Sequence, residues 1–470
     1  MKPSKATRCA EGRGRLGGIP SGGARVRTQS RVALKPTLAR VNVAARKDRR
    51  TRFTALLHHV TPEALERSFR RLRRGAAAGI DGMTVAEYEQ ELQRRLRDLH
   101  GRLHTGRYRP MPVRRVWIPK ADGGRRPLGV PALEDKIVQG AVAEVLSAVY
   151  EADFLGFSYG FRPGRSPHDA LEALHTAVMT QCVNWVLDAD IRSFFDSVDH
   201  ELLLRAVSVR IADRRILRLI RGWLRAGVFE DKEWKQTTRG TPQGAGISPL
   251  LANIFLHYVL DGWIHQWRRR NARGRVSIVR YADDFVMGFQ YRDDAERMRA
   301  ALERRLRAVA LELHPDKTRL IEFGRLPALR CRRGGERRPS TFAFLGFTHY
   351  CGWTRDGRFV CKRKTQGSRL SRSLRAIKVK ARCRMHRPLA EQHRWLSSVL
   401  RGHYRYYGLP SNHRALSSFH REVRRIWYRT LRRRSQRSLT WPAFCEIEQR
   451  LPLPPPRLPH VQRSLLASLG

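Results

Sequence analysis

The tetrapeptide Tyr281-Ala282-Asp283-Asp284 places two adjacent carboxylates between the apolar halves of residues 276–289. The pattern reads as two strands meeting at a tight acidic turn. Like charges at a hairpin tip repel, and neither aspartate helps a core. A divalent cation removes that cost, because carboxylate oxygens are hard ligands suited to Mg²⁺. Paired Mg²⁺ ions in turn stabilise the attacking and leaving oxygens of phosphoryl transfer. The same string also fits a solvated Asp-Asp turn, so its chemistry depends on what else the chain brings to it. Asp188-Ala189-Asp190 ends the apolar stretch 184–190, which reads as a buried strand. Laid beside the acidic hairpin, Asp190 makes a three-carboxylate metal site with Asp283 and Asp284. Alternatively, Asp188 and Asp190 mark only a strand end, and Asp196 a turn. About 50 residues further on, Arg239-Gly240-Thr241-Pro242-Gln243-Gly244-Ala245-Gly246 forms a glycine-punctuated loop. Its glycines let a base or sugar approach the backbone closely, and Gln243 offers both a donor and an acceptor there.

The elements that must position these residues are legible around them. Residues 52–104 read as helical, starting at Thr61-Pro62-Glu63 and broken at Gly75 and Gly79, with a second helix over 87–103. A strand over 113–119 runs into a glycine turn at Gly123-Gly124 and the basic pair Arg125-Arg126. Helices are predicted over 134–149 and 166–179, with a glycine-rich loop at 157–165 between them. Asp199 caps a helix through Val207, and 248–267 reads as one long apolar helix. Ala295, Met298, Leu302, Leu306, Val309 and Leu313 step by three and four, which predicts a helix over 293–313. His314-Pro315 stops it, and a strand follows over 317–323. The Gly/Pro/Arg-rich residues 325–340 read as a linker or mobile loop. A strand region (341–360), basic helices to about 437 and a Pro-rich tail (451–459) complete the chain.

Composition narrows the partner. The 470 residues carry 93 Lys+Arg against 42 Asp+Glu, a net charge of +51, with an ordinary 41% apolar content. A chain this basic calls for a polyanion, and nucleic acid is the first candidate because each neutralised phosphate releases counterions. The charge is spread along the whole length, which disfavours an amphipathic membrane helix. No apolar run reaches the roughly 18 residues of a membrane span. The seven cysteines include no C-x-x-C pair, and the closest two, Cys351 and Cys361, are ten apart. That argues against a zinc ribbon or a disulfide framework and for free thiols in a reducing cytoplasm. Residues 1–50 are basic and nearly acid-free, and read as a disordered RNA-binding arm.

Further motifs stand in a fixed order with these. They are Ala78-Gly79-Ile80-Asp81-Gly82, then Ile118-Pro119-Lys120 through Arg126-Pro127-Leu128-Gly129-Val130-Pro131, and Ser158-Tyr159-Gly160-Phe161-Arg162-Pro163-Gly164-Arg165-Ser166. The Asp190 block, the Thr241-to-Asn253 block and the YADD hairpin follow. His314-Pro315-Asp316-Lys317-Thr318 and Phe344-Leu345-Gly346-Phe347 close the series. From about residue 52 to about 453 the chain resembles the bacterial group II intron-encoded reverse transcriptase/maturase family.

The resemblance implies an α+β, right-hand polymerase: fingers and palm over 51–330, a connection over 331–365, an α-helical thumb or maturase X domain over 366–445 and a tail over 446–470. It implies an RNA-directed DNA polymerase that is also a splicing maturase. Two Mg²⁺ ions would be held by Asp190, Asp283, Asp284 and the Ile191 carbonyl. Lys120 and Arg126 match the residues that clamp the incoming triphosphate, against the reading of a generic basic face. Phe195 matches the residue packed under the sugar, with Phe194 competing for the role. Gln243 matches the residue beside the nascent pair, and Lys317 a palm lysine able to donate a proton to pyrophosphate. Arg162, Arg165, Arg401, Tyr404 and Arg405 are the candidate RNA contacts. The implied partners are intron RNA, an RNA template with DNA primer, target DNA and dNTPs, at the nucleoid of a bacterial cytoplasm. Family members that cut the second DNA strand carry an endonuclease with cysteine pairs, which this sequence lacks, so none is expected. A maturase without polymerase activity and a reverse transcriptase of defence or retron type are the alternative readings.

Overall fold

The computed structural model describes residues 36–119, 124–230, 233–235, 239–241, 244–334, 339–434 and 438–459. It is an α+β structure. The described residues open with the helices α1 (Pro36–Lys47), α2 (Pro62–Arg70), α3 (Val85–Glu89) and α4 (Leu92–His104). The hairpin β1 (Val113–Pro119) and β2 (Arg125–Val130) leads to α5 (Leu133–Tyr150) and α6 (Pro167–Thr180). Then come β3 (Trp185–Asp190), α7 (Phe194–Ser197), α8 (His200–Ser208), α9 (Arg214–Arg225), β4 (Val228–Glu230) and β5 (Glu233–Lys235). Helices α10 (Ser248–Leu256) and α11 (Gly262–Arg270) are joined through a single π turn, His257–Asp261. The acidic hairpin is β6 (Val276–Tyr281) and β7 (Asp284–Phe289), followed by α12 (Arg292–Arg307), β8 (Arg319–Glu322) and α13 (Arg325–Arg332). Strands β9 (Phe342–Phe344), β10 (Phe347–Trp353) and β11 (Phe359–Thr365) precede α14 (Gly367–Cys383), α15 (Leu389–Tyr407), α16 (His413–Arg432) and α17 (Trp441–Arg450).

Among the described residues three sheets form, in the orders β2-β1-β4-β5, β6-β7-β3-β8 and β11-β10-β9. The middle sheet is antiparallel throughout and is buried on both faces. One face packs Leu187, Phe285 and Met287 into a core with α5, α8, α10 and α12. The other packs Val186, Val279 and Val286 against α6 and the third sheet. The C-terminal helices close their own core around Leu400, Phe419, Val423 and Trp427.

Local chemistry sets the helix starts. Thr61 accepts from the Ala64 N–H with Pro62 in the first turn. Thr84 with Glu87, and Ser166 with Asp169, form reciprocal capping boxes. Asp199 accepts from the N–H groups of Glu201 and Leu202.

Several expectations are corrected. The helix expected to reach Leu313 ends at Arg307. Ala310 adopts φ 56°, the Leu311 N–H bonds the Leu306 carbonyl and the Ala310 N–H bonds that of Arg307. That is a Schellman closure made without glycine. The apolar steps continue past it because Leu311 is buried and Leu313 bridges to Ile191. The 325–340 segment is helical over Arg325–Arg332, with Pro327 in the first turn and Ala328 buried. Most of the expected N-terminal arm lies outside the described residues, but 36–47 is a packed helix. Leu38, Val41 and Ala45 are buried, and the Asn42 amide donates to the Ala148 carbonyl at 2.7 Å. The Pro-rich tail is also packed through residue 458. Leu453 is buried, and the Tyr404 hydroxyl donates to the Pro454 carbonyl at 3.2 Å.

Candidate active site

Antiparallel pairing puts Asp190, the last residue of β3, directly opposite Asp284, the first residue of β7. Residues directly opposite share a sheet face, and Asp188 lies two residues back on that face. In the β6–β7 hairpin Tyr281 pairs with Asp284, leaving Ala282 and Asp283 as the two-residue turn. Ala282 takes φ 58°, the left-handed conformation that a tight hairpin needs and that alanine adopts at a cost.

The electrostatics are those of crowded acids. Burial pushes the Asp284 carboxyl well above its ordinary value, and Asp188, Asp283 and Asp190 push it further, with Lys317 opposing. Asp188 is raised to about 6, chiefly by burial, against the pull of Arg319 at 3.4 Å. The Lys317 ammonium donates to Asp190 Oδ2 at 2.8 Å. The Ile191–Leu313 bridge is flanked by two bonds, from the Arg192 N–H to the Glu312 carbonyl and from the His314 N–H to the Asp190 carbonyl. Ile191 is therefore in the non-bonded position of that pair, and its own carbonyl points away from Leu313, towards the side of β7. Among the described residues, no group of three or more His, Cys, Asp and Glu side chains is gathered closely enough to hold a metal by itself. The donors nonetheless fit a divalent cation. They are hard oxygens, and a cation relieves the mutual repulsion that raises Asp284.

What holds the turn in its strained shape is Arg280, fully buried in β6. Its Nε donates to Asp261 Oδ1 at 2.7 Å and its Nη2 to Asp261 Oδ2 at 2.5 Å. Nη2 also donates to Ser158 Oγ at 2.8 Å, and Nη1 to Asn253 Oδ1 at 3.0 Å and the Ala282 carbonyl at 2.9 Å. All five guanidinium donors are thus used. Asn253 passes the constraint on, its amide donating to the Gly160 carbonyl at 2.6 Å. The loop around Ser158 pairs with β6 through Tyr159 N–H to Arg280 O and Arg280 N–H to Phe157 O, both 2.9 Å. A Cβ on Gly160 would lie 2.4 Å from the Ala282 nitrogen. Sequence reasoning missed Arg280, Asp261 and Asn253. The available signal was an arginine inside an apolar strand, and two polar residues eight apart on an apolar helix.

The remaining candidates divide. Phe194 is buried, whereas Phe195 is half-buried, edge-on to it at 5.3 Å. Phe195 is therefore the more accessible ring of the two. Its carbonyl accepts from the Thr241 N–H at 2.7 Å, which ties it to the start of the glycine loop. Lys120 and Gln243 lie outside the described residues, and Arg126 pairs with Ile118 in the β1–β2 hairpin. Two expected RNA contacts are corrected. Arg162 is buried with its guanidinium on Glu151 and on the carbonyls of Leu155 and Ser158, so it clamps its own loop. Tyr404 is a core residue whose hydroxyl is spent on Pro454. Arg401 and Arg405 are exposed. Arg165 is half-buried, lying over the Tyr159 ring at 5.1 Å and donating to the Gly156 carbonyl.

Residues 118–349 match the family described as "Reverse transcriptase (RNA-dependent DNA polymerase)". The chain is 37% identical over 277 residues to Protein YkfC of Escherichia coli, covering 52% of this chain and 71% of that protein. It is 33% identical over 242 residues to the group II intron-encoded protein LtrA of Lactococcus lactis subsp. cremoris, covering 50% of this chain and 40% of LtrA. It is 34% identical over 259 residues to an uncharacterized 91 kDa protein in the cob intron of Schizosaccharomyces pombe, covering 53% of this chain and 30% of that protein. The chain therefore spans less than half the length of the latter two. No helix among the described residues is long and apolar enough to cross a membrane.

Proposed function

We propose, for a chain that belongs to the group II intron-encoded reverse transcriptases and maturases, a specific division of labour among its residues. It is an RNA-directed DNA polymerase and splicing maturase. Residues 51–330 act as fingers and palm, 331–365 as the connection, and 366–445 as the thumb and maturase domain. Asp190, Asp283, Asp284 and the Ile191 carbonyl hold two Mg²⁺ ions. Mg²⁺ bound there would supply Lewis acidity to the primer 3′-hydroxyl and to the leaving pyrophosphate. Lys317, bonded to Asp190, holds that carboxylate in place and is the group that would deliver a proton to the leaving pyrophosphate. Phe195 lies under the incoming sugar and excludes a 2′-hydroxyl. Lys120 and Arg126 take the triphosphate, the arginine suiting it bidentately, and Gln243 sits beside the nascent pair.

The exposed arginines Arg401 and Arg405, with Arg165, meet RNA backbone, and the basic C-terminal helices hold the intron RNA while it folds. The RNA itself supplies the splicing chemistry. An RNA template with DNA primer, dNTPs and a DNA target are the substrates of the polymerase role.

The observation that carries this reading is the register that sets Asp190 against Asp284 beside the Asp283 turn. Primer extension on an RNA template with dNTPs and Mg²⁺, run on wild type and Asp283→Ala beside an RNA-binding assay, tests it. The expected result is cDNA from wild type, and none from a variant that still binds RNA. Tight intron binding without cDNA from wild type would leave a maturase alone.

A further inference from the structure

Phe161 is the residue in the neighbourhood of the acidic turn whose state the proposed chemistry does not explain. Its backbone holds φ 54°, a left-handed conformation that is a genuine outlier for a bulky aromatic side chain. Its side chain is not sheltered in exchange: the residue is 56% exposed. The neighbours on both sides are locked. Gly160 presses on the Ala282 backbone and is held by Asn253, and Arg162 is buried in its clamp on Glu151, Leu155 and Ser158. The chain thus uses a buried arginine and a strained backbone to keep one apolar ring in water. That ring lies 6.0 Å from the half-buried ring of Tyr281, the first residue of the YADD turn.

We propose that Phe161, with Tyr281, forms an apolar floor for the template–primer hybrid at the primer terminus. The ring would lie against the sugars and base edges of the last pairs. The inference rests on the polymerase reading, because that reading requires the 3′ end to reach Asp283 and Asp284. A duplex ending there passes the residue that follows Gly160, whose α-carbon side faces the Ala282 backbone directly. The broad, shallow minor groove of an A-like hybrid admits a flat ring that the narrower groove of B-DNA does not. Phe161 is a binding residue in this account, and it neutralises no phosphate.

The decisive substitutions keep the backbone conformation. Asparagine and glycine both tolerate positive φ, so Phe161→Asn and Phe161→Gly remove the ring without adding strain. Equilibrium binding of an RNA template annealed to a dideoxy-terminated DNA primer is measured across a salt series, beside thermal unfolding. Both variants are expected to bind the hybrid about tenfold more weakly. The slope of log Kd against log salt should stay that of wild type, with Tm no lower than that of wild type. Phe161→Tyr should restore affinity. Unchanged hybrid affinity in Phe161→Asn would overturn the proposal, as would an equal loss on single-stranded RNA. Because binding is read without catalysis, the two readings fail separately. A wild type that makes no cDNA but shows the Phe161-dependent affinity would refute the polymerase reading alone.

Discussion

Gly160→Ala perturbs the candidate site without touching any of its acids. A Cβ built there lies 2.4 Å from the Ala282 nitrogen and 2.9 Å from the Tyr281 carbonyl carbon. Ordinary contact begins near 3.4 Å, so the loop and the turn must separate by about 1 Å. No flexible side chain can absorb this, because the atoms struck are backbone. The loop cannot retreat either. The Gly160 carbonyl is held by Asn253, and Tyr159 is bonded to Arg280. The strain falls on the turn that carries Asp283. Overpacking of this kind costs about 1–3 kcal/mol of stability. A displacement of about 1 Å at reacting groups costs on the order of 10²-fold in rate. Single-turnover incorporation at saturating template–primer should therefore fall between about 10- and 100-fold. A variant that incorporates at the wild-type rate would refute the claim that this contact sets the position of the turn.

Other expectations follow from the same geometry. Arg280→Met leaves Asp261 buried without its partner and should lose about 3–5 kcal/mol in a urea titration. The double variant Arg280→Met/Asp261→Leu should recover most of that stability while remaining impaired in catalysis, because the Ala282 carbonyl stays unheld. Asp188 and Asp284 both titrate above the ordinary carboxylate range. In metal-free protein they therefore favour the fold at low pH, and this contribution is lost as pH rises through about 6 for Asp188, with Asp284 shifted in the same direction by its burial and its acidic neighbours. Mg²⁺ competes with the Asp284 proton, so the rise in Tm on adding Mg²⁺ should be larger near pH 7.5 than near pH 5.5. An equal rise at both would contradict the assignment. Arg162→Ala should lower Tm by removing a buried clamp, whereas Arg401→Ala should leave Tm alone and reduce the salt slope of RNA binding by about 1.

The juxtaposition of the acids was legible because its signals are local. An acid at the end of an apolar run, an acidic pair inside a hairpin and glycines at loop corners have few other uses. Element starts were also readable where a cap announces them, as at Thr61, Ser166 and Asp199. Side-chain direction was not. Arg162 and Tyr404 have the composition of RNA contacts, yet one clamps its own loop and the other lies in the core, and only packing reveals this. The end of α12 was misread because its apolar steps run on through Leu313, while a left-handed Ala310 closes the helix with no glycine to mark it. The helix Arg325–Arg332 hides in a composition that looks like a linker. The Arg280 network escaped notice because its members come from three distant segments, around residues 158, 253–261 and 280. A lone arginine in a strand does not name its partners.

Asp190 is paired against Asp284 and held by Lys317, whereas Asp188, two residues back, is engaged by Arg319; the proposed function makes only the first of them a catalytic acid. Single-nucleotide incorporation on an RNA template, measured before the steady state for wild type, Asp190→Asn and Asp188→Asn, separates the two most directly. The account predicts a loss on the order of 10³-fold for Asp190→Asn and less than about tenfold for Asp188→Asn. Incorporation by Asp190→Asn at the wild-type rate, or the reverse order of the two variants, would contradict it.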